Sequence, residues 1–193
     1  MGMKEKVILT DVDGVLLDWV YSFDQWMKRH GYVKSRNDVY DLNLCYNIDR
    51  TESKKLVRVF NESANIGYLP PLRDAVKYIR KLHEEHGFIF HAITSLSLDP
   101  FAAKEREDNL KRVFGETVFE KIQCLDTGAD KDEALEMYRD TGCFWIEDKI
   151  ENAELGERIG LNAVLMEHDH NADYYNGNIP VVKKWKDIYD MIT

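Results

Sequence analysis

Two aspartates two positions apart, Asp11 and Asp13, close a short apolar run, Val7-Ile8-Leu9-Thr10, and Gly14 follows them at once. The run reads as a buried strand, so both carboxylates belong to a strand end. Like charges that close repel, and a chain keeps them together at low cost only with a cation or a proton between them. A hard, oxygen-seeking ion such as Mg²⁺ meets that need, which directs the reading to phosphate chemistry. Three further polar sets stand at or just after the ends of other strand-like runs: Thr94-Ser95, Lys131 and Glu147-Asp148. Hydroxyls and a lysine can grip phosphate oxygens while the acids hold a cation.

The elements that must position these groups are legible as an alternating pattern. Strand-like runs cover Val7 to Asp11, Phe88 to Thr94, Lys121 to Asp126, Cys143 to Glu147 and Ala163 to Glu167. Helical spacing separates most of them. Leu72, Ala75, Val76, Ile79 and Leu82 recur on one face between Pro71 and Gly87, and further helices are expected over Pro100 to Phe114, Asp132 to Asp140, Ile150 to Ile159 and around Trp185, Ile188, Tyr189 and Ile192. Strands alternating with helices predict right-handed crossovers and a parallel sheet of at least five strands. In such a sheet ligands bind beyond the carboxyl ends of the strands, which is where the polar sets fall.

One interval breaks the alternation. Between Val15 and Leu69 no strand is expected; helices are predicted over Leu16 to His30 and Thr51 to Ala64, with Tyr40 to Tyr46 open between them. A stretch that long is not a plain loop in a compact domain. It is read as a small helical cap, residues 16–69, inserted into an α/β core formed by 1–15 and 70–193.

Composition excludes several classes. The formal net charge of −9 argues against an extended nucleic-acid surface, though not against a small phosphorylated ligand. No apolar run approaches a membrane span, and Met1 to Lys6 holds no apolar signal segment. Cys45, Cys124 and Cys143 are odd in number and widely spaced, so they are expected as reduced thiols of a cytoplasmic protein.

Taken in order, Asp11-Val12-Asp13-Gly14-Val15, Thr94-Ser95, Lys131 and Glu147-Asp148 resemble the four motifs of the haloacid dehalogenase superfamily of aspartate-nucleophile phosphohydrolases. Within it, Asp-Gly-Val at the first motif, Trp19 soon after, the Thr94-Ser95 pair and the stretch His168-Asp169-His170-Asn171 are similar to the 5′(3′)-deoxyribonucleotidase-like group. The resemblance implies a three-layer, Rossmann-like α/β core with the cap after the first strand. It implies that Asp11 attacks phosphorus and that Asp13 protonates the leaving oxygen and later activates water. Asp11, Asp148 and the Asp13 backbone carbonyl would hold Mg²⁺, with Glu147 acting through a bound water. Thr94 and Lys131 would stabilise the phosphoryl oxygens, and Thr94, Ser95 and Lys131 would bind substrate. Glu147 stands where many members carry Asp. Lys121 and Lys104 compete with Lys131 for the lysine role; Lys131 is preferred because it lies in the loop after the third strand.

The inserted segment is rich in rings, including Trp19, Phe23, Trp26, Tyr40, Tyr46 and Phe60, most of which are expected to form its own small core. Tyr46, in the irregular part, is the expected ring for stacking on a nucleotide base. His168 and His170 flank Asp169, but a polar loop is the simpler reading than a second metal site, and Asn171 is expected at the site's edge. The expected activity is hydrolysis of a nucleoside monophosphate. A sugar phosphate or other metabolite, a polynucleotide end, and a non-catalytic binding role are the alternatives.

Overall fold

The computed structural model describes residues 6–193; the reading of the extreme N-terminus falls mainly on 1–5, outside the described residues. Six parallel strands form one sheet in the order β3-β2-β1-β4-β5-β6. They are β1 (Val7–Thr10), β2 (Ile89–Ser95), β3 (Phe119–Leu125), β4 (Phe144–Glu147), β5 (Asn162–Met166) and β6 (Val181–Val182). Alternate side chains go to opposite faces. Ile8, Phe90, Ala92, Ile146 and Val164 pack with α4 (Ala75–Glu84), α5 (Pro100–Phe114) and α8 (Trp185–Ile192). Leu9, Ile93, Trp145, Ala163 and Leu165 pack with α6 (Asp132–Glu136) and α7 (Ile150–Arg158). The result is helix, sheet and helix in three layers, as the resemblance implies, around the parallel sheet that the alternation predicts.

Strand order reverses at β1, which lies between β2 and β4. Connections leave toward β2 on one side and toward β4 on the other, so a crevice opens where the carboxyl ends of β1 and β4 meet. The register pairs Thr10 with Ile146, which brings Asp11 beside Glu147 and Asp148.

The segment between β1 and α4 carries α1 (Trp19–Arg29), α2 (Leu42–Tyr46), α3 (Arg50–Asn61) and a 3₁₀ turn (Ala64–Tyr68). Its two ends run side by side: Asp18 N donates to Pro70 O at 2.8 Å and Leu72 N to Leu16 O at 2.8 Å. Trp19, Phe23 and Phe60 form its aromatic centre, with Trp19 and Phe23 rings stacked at 4.5 Å. Asn61 ties it to the core, accepting from Trp19 Nε1 at 2.9 Å and donating to Leu96 O at 2.9 Å.

Several boundaries differ from expectation. The first helix starts at Trp19 rather than Leu16, because Leu16 and Leu17 donate back to Val12 O and Asp18 caps the helix through Tyr21 N. β3 starts at Phe119, two residues early, helped by a register shift between Phe90 and His91. The helix expected over Asp132 to Asp140 ends at Glu136 and passes into turns, with Asp140 at φ +57°.

Candidate active site

Lys131 is the centre of the crevice. It is 2% exposed, and its Nζ lies 2.8 Å from Asp11 Oδ2 and 2.8 Å from Glu147 Oε2. Neither competitor reaches those acids: Lys121 contacts Met137 at the surface and Lys104 pairs with Asp108 at 2.6 Å. A buried ammonium is tolerated only with good partners. Burial alone would lower its pKa, but the two carboxylates outweigh that and hold it above the ordinary lysine value.

Asp11, Glu147 and Asp148 are all buried, with one oxygen of each within 4.8 Å of the others. Their roles separate by hydrogen bonding. Glu147 Oε1 accepts the backbone N–H of Asp148 (2.9 Å) and of Lys149 (3.1 Å), while Oε2 accepts from Lys131 and from Asn152 Nδ2 at 3.1 Å. Both its oxygens are therefore taken by protein donors. Asp148 accepts no hydrogen bond on its carboxylate among the described residues; the nearest cationic candidate is His170 Nε2 at 3.5 Å. Asp11 accepts from Val12 N at 2.7 Å and faces Lys131. Burial first, and then the neighbouring charge of Glu147, push Asp11 up to about 8. Burial, Glu147 and Asp11 likewise hold Asp148 well above the carboxylate range. Such a corner favours a proton or a cation, and the unpartnered carboxylate of Asp148 beside that of Asp11, each of whose oxygens has a single protein partner, fits a hard divalent ion.

Gly14 makes the corner possible. Its φ is +77°, and a Cβ there would lie 2.4 Å from Asp148 Oδ2. The loop 168–171 braces the same place from the other side. His168 Nε2 donates to Gly14 O at 2.6 Å, and Asn171 Nδ2 donates to Asp148 O at 2.7 Å and Met166 O at 2.9 Å. Burial lowers His168 to about 4, so it is neutral at ordinary pH. His168 and His170 thus spend ring nitrogens on backbone carbonyls.

The hydroxyl pair divides. Thr94 is fully buried with Oγ1 free of any partner among the described residues, which leaves it available to a phosphoryl oxygen. Ser95 Oγ donates instead to Ala129 O at 2.8 Å and braces the loop that carries Lys131.

Two placements were not expected. Tyr46 is 5% exposed, packs its ring against Phe23 and donates its hydroxyl to Asp24, so it belongs to the interior of the inserted segment, not to a stacking surface. The ring beside the crevice is Tyr40. It lies 5.2 Å from His170, edge to face, with Lys149 Nζ 5.6 Å from its centre. Sequence reasoning also missed Arg106 on α5, fully buried, with Nη2 donating to Asp13 Oδ2 at 3.0 Å and Nη1 2.8 Å from Oδ1. The signal was present: Arg106 stands on the stripe of α5 that otherwise buries Ala102, Leu110 and Phe114.

The fold is similar to solved structures of haloacid dehalogenase-like proteins. The hydrolase SP0104 of Streptococcus pneumoniae, haloacid dehalogenase-like, matches with a TM-score of 0.70 at 14% identity, covering 98% of this chain and 99% of that one. CbbY of Rhodobacter sphaeroides, in complex with phosphate, gives 0.60 at 13%, covering 96% of each. YfnB of Bacillus subtilis, bound to magnesium, gives 0.61 at 14%, covering 98% and 99%.

More narrowly, residues 5–193 match the model of the 5′ nucleotidase, deoxy (pyrimidine), cytosolic type C family, and the chain belongs to that family. An uncharacterised 32.4 kDa protein of Enterobacteria phage T4 is 31% identical over 124 residues, 61% of this chain. The match spans 44% of that relative's length.

Proposed function

We propose that this protein is an Mg²⁺-dependent phosphomonoester hydrolase that acts on nucleoside monophosphates through an aspartyl-phosphate. The observation that carries the reading is the buried Asp11–Lys131–Glu147–Asp148 cluster at the meeting of β1 and β4. Asp11 and Asp148, with the Asp13 backbone carbonyl, are the residues to hold the ion. Bound there, Mg²⁺ reduces the repulsion between a phosphate dianion and the attacking carboxylate.

The chain's own groups supply the rest. An oxygen of Asp11 attacks phosphorus, and Lys131 and the free Thr94 hydroxyl stabilise charge on the transferring oxygens. Asp13 donates a proton to the leaving oxygen and then takes one from the water that splits the intermediate. Glu147 orients Lys131, and because each of its oxygens already accepts two hydrogen bonds it would act on a bound ion through water rather than directly. Segment 16–69 acts as the cap over this crevice, a reading supported by its paired ends at Leu16–Leu72 and Asp18–Pro70. Within it Tyr40 takes the place expected of Tyr46 as the base-stacking ring. No helix among the described residues is long and apolar enough to cross a membrane, and the family's cytosolic-type name supports a cytoplasmic enzyme.

A panel of nucleoside monophosphates and sugar phosphates, assayed with and without Mg²⁺, tests the substrate class. Nucleotides should turn over fastest; preference for a sugar phosphate would redirect the reading, and no turnover at all would favour a binding protein. Asp11→Asn should abolish hydrolysis, and turnover retained at the wild-type rate would remove Asp11 as nucleophile. Tyr40→Ala should raise KM for nucleotides roughly tenfold, since a base–ring stack is worth about 1–3 kcal/mol.

A further inference from the structure

Arg106 is a guanidinium kept out of water with one carboxylate to meet it. It is 0% exposed; Nη2 donates to Asp13 Oδ2 at 3.0 Å, Nη1 lies 2.8 Å from Oδ1 as an ion contact without hydrogen-bond geometry, and Nε has no partner among the described residues. Asn109 apart, its buried neighbours on α5 are the apolar Ala102, Leu110 and Phe114, so a leucine or methionine would pack there without the desolvation that a buried charge entails. Asp13 is different: its side chain keeps 22% exposure and so opens to the crevice. The two buried cations serve different acids. Lys131 contacts Asp11 and Glu147, whereas Arg106 contacts Asp13. A planar guanidinium that hydrogen-bonds one carboxylate oxygen and lies against the other restricts how the carboxylate can turn, which a compact, freely rotating ammonium does less well.

We propose that Arg106 is a positioning residue that holds the Asp13 carboxyl group in line for proton transfer with the leaving oxygen. The inference rests on the phosphatase reading above and deepens it. In the first half-reaction the Asp11 oxygen–phosphorus bond forms while the phosphorus–leaving oxygen bond breaks, and the Asp13 proton goes to that oxygen. In the second, the Asp13 carboxylate takes a proton from water as the water oxygen bonds phosphorus and Asp11 is released. Arg106 touches neither phosphorus nor leaving group; it acts through Asp13. The same helix also anchors the returning end of the inserted segment, since Asn109 Oδ1 accepts from Leu69 N at 2.7 Å and Asn109 Nδ2 donates to Leu69 O at 3.2 Å.

The test is a leaving-group comparison. kcat/KM is measured with Mg²⁺ for a nucleoside 5′-monophosphate, whose alkoxide needs a proton, and for 4-nitrophenyl phosphate, whose phenolate does not. Arg106→Met should lose about 100-fold on the nucleotide, within the range that general acid catalysis supplies, and less than about 5-fold on the aryl ester. Arg106→Lys, which keeps the charge but not the planar guanidinium, should fall between and carries the test if the methionine variant does not fold. Adding Arg106→Met to Asp13→Asn should cost nothing more on the nucleotide. Equal losses on both esters, or additive losses in the double variant, would overturn the assignment and leave a merely structural ion pair. A wild-type protein inactive on both esters would instead overturn the phosphatase reading, and this assignment with it.

Discussion

Glu147 and Asp148 are adjacent acids of one motif, yet removing their charges should move stability in opposite directions. Glu147 accepts four hydrogen bonds, two on each oxygen, at 2.8–3.1 Å. Glutamine offers one oxygen and one NH₂, so in either orientation its NH₂ confronts two donors. Unsatisfied buried donors cost about 1–3 kcal/mol each, and Lys131 also loses one of its two counter-charges. Glu147→Gln should therefore destabilise the protein by about 3–5 kcal/mol, a fall of roughly 6–20 °C in Tm for a chain of this size. Asp148 accepts nothing on its carboxylate among the described residues and suffers the repulsion of Glu147 and Asp11. Asp148→Asn keeps the shape and removes that repulsion, so the metal-free variant should be as stable as wild type or more so by about 1 kcal/mol. It should also lose the stabilisation that Mg²⁺ confers, which for wild type reaches about 2.7 kcal/mol at a hundredfold excess over Kd. Urea unfolding with EDTA and with excess Mg²⁺ measures both. If the two variants are destabilised alike without metal, or if Asp148→Asn keeps the Mg²⁺ increment, the division of roles drawn from these hydrogen bonds is wrong.

Two further outcomes are expected. Gly14→Ala puts a methyl group 2.4 Å from Asp148 Oδ2 at a backbone φ of +77°, so it should cost about 2–3 kcal/mol in thermal unfolding and abolish turnover; a variant with wild-type activity would show the corner to be more yielding than its geometry implies. His168 is held to about 4 by burial, below its unfolded value, so the unfolded chain binds more protons between those limits. Its stabilising contribution is complete above pH 6.5 and lost as pH falls toward 4, a change of about 2 kcal/mol between pH 7 and pH 5. Asp11 and Asp148, whose values are raised, work in the opposite sense without metal. The measurement is therefore the difference in urea stability between wild type and His168→Gln at the two pH values, and a difference independent of pH would contradict the shift.

The sheet and most of the candidate site were legible along the chain because their determinants are local. An apolar run that ends in acids, as at Val7 to Asp13, marks a strand and the chemistry at its end without reference to the rest of the molecule. Repeating that pattern in β-α alternation sufficed for a parallel sheet and for the edge at which Asp11, Thr94, Lys131 and Asp148 converge. Helix limits were blurred where a competing contact outweighed propensity, as where Leu16 and Leu17 turn back onto Val12. What tertiary structure alone decided is pairing across long separations. Arg106 meets Asp13 across 93 positions and His168 meets Gly14 across 154, and no periodicity encodes either partner. Along the sequence Tyr40 and Tyr46 differ little, at the two ends of a segment whose structure the spacing leaves open, yet the chain puts Tyr46 in α2 with its hydroxyl on Asp24 and leaves Tyr40 at the crevice. Residue type and spacing determine which side chains reach a strand end or a helix face; which faces then meet depends on how the whole chain buries its apolar surface.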